Sequence, residues 1–180
     1  MRTVVIVTTY NRPDALRLVL DALTRQSIPA DEIVVADDGS TQPTADCVAE
    51  FQTRLPIRHA WQADQGFRAG TVRNLAVAHS NADYLIFLDG DCLVPPNFIE
   101  NHLHLAEQGW FVAGNRILLS EPFTQKVLIH RWPVSTWSIF RWLWQSWLGH
   151  CNRWLPLVFM PGQRWRKQRP ARWQQARTCN

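Results

Sequence analysis

Tyr84-Leu85-Ile86-Phe87-Leu88-Asp89-Gly90-Asp91 is the stretch on which the fold turns. Five large apolar residues in a row, ending abruptly in two carboxylates around a glycine, describe a strand buried on both faces that delivers acidic groups to its carboxyl end. Working back towards the N-terminus, the same layout recurs three times. Val4-Val5-Ile6-Val7 is a β-branched run followed by Thr8-Thr9-Tyr10-Asn11. Ile33 to Ala36 runs into Asp37-Asp38-Gly39-Ser40, and Ile57 to Trp61 precedes Asp64 to Gly70. Between these strands apolar residues repeat at helical spacing. Asp14 to Gln26 carries Ala15, Leu16, Val19, Leu20 and Leu23, with Pro13 suited to a first helical position, and shorter helices are expected over 44–52 and 71–79.

Strand and helix in strict alternation with short connections specify an α/β fold around a parallel sheet, and such sheets bind ligands beyond the carboxyl ends of their strands. All four polar clusters fall there.

Each cluster suggests a chemistry and has a plainer reading beside it. Asp89 and Asp91, one residue apart at a strand end, can share a hard divalent cation, Mn²⁺ or Mg²⁺, that holds a diphosphate; the alternative is a solvated turn. Asp37 and Asp38 can accept hydrogen bonds from a base or a ribose, or Asp38 and Ser40 can simply cap the next helix. Thr8, Tyr10 and Asn11 offer hydroxyl, aromatic and amide groups to a nucleoside, or serve as turn residues. Gln65-Gly66-Phe67-Arg68-Ala69-Gly70 with Arg73-Asn74 is a basic loop opening a helix, where amides and guanidinium groups favour phosphate, or else simply a helix-start loop with structural glycines. No Gly-Lys-Ser/Thr follows it and the chain contains no GxGxxG, so neither a P-loop nor a dinucleotide fingerprint is present.

Composition divides the 180 residues in two. The first hundred are net acidic; the remainder is net basic and holds most of the 10 tryptophans, a mixture suited to polyanions or a membrane surface. A helix is expected over 96–108, a strand over 110–118 and a short helix over 125–129. From Arg131 to Arg177 the chain is irregular and rich in Trp, Arg and Pro. Its charge-free stretches, such as Trp142 to Asn152 and Leu155 to Gln163, are far shorter than the roughly 20 apolar residues of a spanning helix. Such a segment reads either as a membrane-interface surface or as an acceptor-side subdomain whose tryptophans form core or stack on sugars. The four cysteines, Cys47, Cys92, Cys151 and Cys179, are scattered without zinc-ligand spacing and are read as reduced thiols in a cytoplasmic protein.

Taken in order and spacing, Thr8 to Pro13, Val35 to Ser40, Gln65 to Ala69 with Arg73-Asn74, and Phe87 to Asp91 strongly resemble the family 2 glycosyltransferases, over roughly residues 1–120. The resemblance is greatest to bacterial polysaccharide and lipopolysaccharide sugar transferases. It implies the GT-A fold, a Rossmann-like three-layer arrangement with a mainly parallel sheet, occupying residues 1–120. Residues 121–180 would be the basic Trp-rich acceptor-side or membrane-facing tail. It further implies a nucleotide-sugar donor, UDP-linked, a glycan or lipid-linked acceptor and inversion at the anomeric carbon. Thr8 and Tyr10 would line the uridine and Asp38 pair with uracil. Arg68 and Arg73 would sit in the segment closing over the nucleotide, and Asp89 and Asp91 would bind the metal.

The match fails at the catalytic base, which the family places on an acidic segment after the DxD. Beyond residue 100 only Glu107 and Glu121 are acidic, and neither has that context. Cys179-Asn180 resembles the start of the strand that leads to that motif, so the base is expected beyond Asn180 and the chain is expected to bind donor while transferring sugar poorly or not at all. Gln168 and Arg172-Trp173 are one residue off the Gln-x-x-Arg-Trp of processive members, so polymer synthesis is unsupported. Outside the transferase class, a donor-binding module without activity and a sugar nucleotidyltransferase are the remaining readings. The second lacks its Gly-rich, lysine-containing loop. Nucleic-acid binding is set aside, because the basic residues are attached to a sugar-transferase scaffold.

Overall fold

The computed structural model describes residues 1–152. Four strands, β1 (Thr3–Thr9), β2 (Glu32–Asp37), β3 (Ile57–Trp61) and β4 (Tyr84–Asp89), form one parallel sheet in the order β3-β2-β1-β4. β1 lies at its centre, with Val4, Val5, Ile6 and Val7 all fully buried, as its unbroken β-branched run requires. Val5 and Val7 point to one face and Val4 and Ile6 to the other, which divides the core in two.

The first face is covered by α1 (Pro13–Leu23) and α2 (Gln42–Phe51), through Leu16, Val19, Leu20, Cys47, Val48 and Phe51, and by Ile99 of α4 (Phe98–Leu105). The second is covered by α3 (Ala69–Ala78), through Val72 and Ala76. Chain direction explains the division. β1 to β3 step one way across the sheet, and right-handed crossovers put α1 and α2 on one side; β3 to β4 steps back past β1, so the same handedness puts α3 on the other. The result is the three-layer α/β architecture expected of the GT-A fold.

Boundaries differ in detail from the sequence reading. α1 stops at Leu23, where the Thr24 hydroxyl donates to the Asp21 carbonyl, and α4 is confined to eight residues after Pro95-Pro96. The strand expected over 110–118 is absent. That stretch is irregular and mostly exposed, its apolar residues interrupted by the poor strand formers Gly114-Asn115, and Leu119 just beyond it makes an isolated antiparallel bridge with Cys151.

Between residues 121 and 152 the chain forms regular elements that its composition does not suggest. α5 (Glu121–His130), a single 3-10 turn (Val134–Thr136) and α6 (Ile139–Trp147) enclose a third cluster, in which Phe123, Val127, Val134, Trp142 and Cys151 close against Leu18 of α1. Trp132 and Trp137 pack on its margin, and the Arg141 guanidinium lies 3.7 Å over the Trp137 ring. These three tryptophans serve as core. Among the described residues Cys47, Cys92 and Cys151 form no disulfide with one another, and no described helix is long and apolar enough to cross a membrane. The motif readings at Leu155–Gln163, Gln168–Trp173 and Cys179-Asn180 lie outside the described residues.

Candidate nucleotide-binding site

The register of the central strands assembles the site. Thr8 of β1 pairs with Asp89 of β4, and Thr9 with Asp37 of β2, so three polar clusters leave the sheet side by side. Hydrogen bonds continue the ladder past the strand ends: Asp38 N donates to Thr9 O at 3.0 Å and Gly90 N to Thr8 O at 2.7 Å. Because strand order reverses at β1, its neighbours' loops diverge there and leave a crevice between them. The crevice is an open cleft of ≈ 320 Å³ lined by Thr8, Thr9, Tyr10, Arg12, Asp38, Phe67, Ala69, Arg73, Asp89, Gly90, Asp91 and Arg116.

Asp38 is held as a fixed acceptor. Its Oδ1 receives Gln62 Nε2 at 2.5 Å and its Oδ2 the backbone N–H of Arg68 at 2.7 Å. This ties the β2 loop to the start of α3. Tyr10 stands half-exposed at the mouth and donates to Asp64 Oδ2 at 2.9 Å, a bond that raises its phenol pKa.

Arg73 reaches from α3 to the rim, donating through Nε to Thr8 Oγ1 and through Nη2 to Asp89 Oδ1, both at 2.8 Å. Burial pushes the Asp89 carboxyl above its ordinary pKa; Arg73 opposes the shift, Asp91 adds to it, and Arg116 opposes it more weakly. A carboxylate whose charge is disfavoured in this way is one that an additional cation stabilises. Asp89, Asp91 and Cys92 bring their ligand atoms within 4.8 Å of one another. Burial, followed by the two carboxylates, pushes the Cys92 thiol to about 12, so it stays protonated and is a poor ligand. The remaining donors are two hard carboxylate groups, which fit Mn²⁺ or Mg²⁺.

Four of the residues selected from the sequence do not line the cleft. Asn11, in a left-handed conformation (φ 49°), receives Thr41 N on its side chain and donates its own N–H to Ser40 Oγ. Asp37 is fully buried beneath the loop it organises. Burial alone would raise its pKa, but hydrogen bonds from His59 and from the hydroxyl and amide of Ser40 outweigh this and hold it low. Arg68 turns its guanidinium to the Ala63 carbonyl, at 2.7 Å. Gln65 is exposed on the loop.

In return, the cleft gains Thr9, Arg12, Phe67, Ala69, Gly90 and Arg116. Phe67, almost wholly exposed, was visible only as part of a loop motif. Arg116 had no signal at all, because it lies in the irregular segment after α4 and reaches the rim by folding alone. Neither Glu107 nor Glu121 lines the cleft.

A family model described as glycosyl transferase family 2 matches residues 4–168, nearly the whole chain. The chain belongs to glycosyl transferase family 2. Among relatives in that family, validoxylamine A glucosyltransferase of Streptomyces hygroscopicus subsp. limoneus is 40% identical over 101 residues, 55% of this chain and 22% of its own length. The hyaluronan synthase of Pasteurella multocida is 35% identical over 104 residues, 57% of this chain and 10% of its own. The chain thus spans less than a quarter of either relative. Of the solved GT-A transferases, residues 1–349 of Staphylococcus aureus TarS in complex with UDP-GlcNAc superpose with a TM-score of 0.53 at 27% identity, covering 57% of this chain and 30% of that one. The mannosyltransferase PcManGT from Pyrobaculum calidifontis, in complex with GDP-Man and Mn²⁺, gives 0.56 at 26% identity, covering 70% and 38%.

Proposed function

We propose that the cleft binds a nucleoside-diphosphate sugar, UDP-linked, and presents it for inverting transfer to the hydroxyl of a glycan or lipid-linked acceptor in the synthesis of cell-surface polysaccharide or lipopolysaccharide. One observation carries the reading: Asp38, the fixed acceptor, and the Asp89–Asp91 pair open onto a single cleft at the point where strand order reverses.

A nucleotide would lie from Tyr10 and Asp38 towards Asp91, all of which line the cleft. Asp38 accepts from the base, and Thr8 and Tyr10 border the nucleoside. Arg73 and Arg116 face the diphosphate, with Phe67 over the mouth. Asp89 and Asp91 would hold the divalent ion, which when bound neutralises the charge developing on the departing diphosphate. Arg73, shared between Thr8 and Asp89, sets the position of the first carboxylate before any ligand arrives.

Calorimetric titration with UDP and GDP, each with and without Mn²⁺, tests this reading. Metal-dependent UDP binding at least about tenfold tighter than GDP supports it. Binding that ignores Mn²⁺ refutes it, and a preference for GDP refutes the uridine assignment. The absence of Glu107 and Glu121 from the cleft favours a second reading, a donor-binding unit without turnover. Release of free sugar from UDP-sugars by the 180-residue chain, or transfer to an acceptor, would exclude it.

A further inference from the structure

α6 divides its aromatic residues between two opposite sides. Trp142 is 5% exposed and closes the third core cluster, whereas Phe140, Trp144 and Trp147 are 79%, 57% and 76% exposed. At ~100° per residue these three fall within an arc of about 60°, roughly opposite the direction of Trp142. The rings of Trp144 and Trp147 touch each other, with centroids 5.1 Å apart. The described residues leave this stripe uncovered. It is continued by exposed Leu148 and flanked by Arg141, which Trp137 pins in place from below.

Charge identifies what meets it. After Glu121 the sequence contains no Asp or Glu, while Lys126, Arg131, Arg141 and a further series of Arg and Lys beyond residue 152 continue to its end. Solvent-facing indoles beside a fixed cation, in a segment whose sequence is basic and free of carboxylates, are the composition of a helix lying in the plane of an anionic bilayer surface. A platform stacking on sugars would need polar acceptors among its aromatics for the sugar hydroxyls, and this arc has none. We infer that α6 is an interfacial anchor, which inserts Phe140, Trp144 and Trp147 among the acyl chains of an anionic membrane while Arg141 meets the phosphates. The inference concerns a surface separate from the donor cleft and stands or falls apart from it.

The test is co-sedimentation of the full 180-residue chain with vesicles of equal parts phosphatidylglycerol and phosphatidylcholine, and with vesicles of phosphatidylcholine alone. Tryptophan quenching by bromine-labelled acyl chains reports insertion. Binding should favour the anionic vesicles, weaken as salt is raised, and fall about tenfold or more in Trp144→Ser/Trp147→Ser. Both residues are exposed, so the circular dichroism spectrum and UDP titration of the variant should match the parent. The single variant Phe140→Ser provides a second, milder perturbation in the same direction. Three results would overturn the inference: no binding to anionic vesicles, equal binding by parent and double variant, or quenching by soluble oligosaccharide in place of lipid. A dimer that the double variant abolishes without lipid would assign the face to a second copy and overturn it equally.

Discussion

Gly90 provides the sharpest test of how the site is built. A Cβ added there would lie 2.8 Å from Thr8 O, 3.1 Å from Thr9 Cβ and 3.2 Å from Thr9 Oγ1, where ordinary contact begins at 3.4 Å. The obstructing atoms are backbone and the first side-chain atoms of the central strand, which is hydrogen-bonded on both edges, so β1 cannot yield, and the loop carrying Asp89 and Asp91 must move. Relief requires a shift of about half an ångström and breaks or lengthens the Gly90 N to Thr8 O bond. Overpacking of this kind costs about 1–3 kcal/mol. In a protein of this size that is a fall in Tm of roughly 3–10 °C. Because both metal-ligand candidates ride on the displaced loop, binding of UDP with Mn²⁺ should weaken by far more than the stability loss suggests, by about a hundredfold. Gly70 supplies the control. Nothing lies within 4 Å of a Cβ there and the residue is helical, so Gly70→Ala should raise stability by about 0.4–1 kcal/mol and leave binding unchanged. Thermal unfolding and calorimetric titration of both variants decide the matter. A Gly90→Ala protein with parental Tm and parental Mn²⁺-dependent affinity would refute the account of the loop.

Asp91→Asn should abolish the Mn²⁺ dependence of UDP binding while leaving Tm nearly unchanged, since Asp91 is exposed; unaltered metal response by calorimetry would remove it from the site. Arg116→Ala should weaken UDP binding about tenfold and uridine binding hardly at all, because the guanidinium is assigned to the diphosphate; equal losses for both ligands would contradict that. His102 is buried and its pKa is lowered to about 4 from 6.5 by burial, so the unfolded chain takes up the proton first as pH falls. The resulting contribution to stability is complete above pH 6.5 and is lost towards pH 4. It amounts to on the order of 3 kcal/mol, and urea unfolding of the parent and His102→Phe across that range should show the loss only in the parent.

Sequence alone determined the sheet, because its strands announce themselves through apolar runs such as Val4 to Val7 and Tyr84 to Leu88; burial on both faces holds for the inner strands β1 and β2, while the edge strands β3 and β4 are only partly covered. It also placed the chemistry at the strand ends. Thr8, Tyr10, Asp38, Arg73, Asp89 and Asp91 were all chosen from local pattern, and all of them line the cleft.

What local pattern did not separate was facing from supporting. Asp37 and Asp38 are adjacent and chemically identical, and only the fold buries the first against His59 at the end of β2 and sets the second, one residue past the strand, on the cleft. The tertiary structure likewise decided the tail. Trp142 and Trp144 are indistinguishable in composition, yet a helix anchored on Leu18 and Phe123 puts the first in a core and the second in solvent. Arg116 marks the same limit from the other direction. A long side chain on an irregular segment carries no periodicity to read, and its place beside Asp89 exists only once the chain has folded around the sheet.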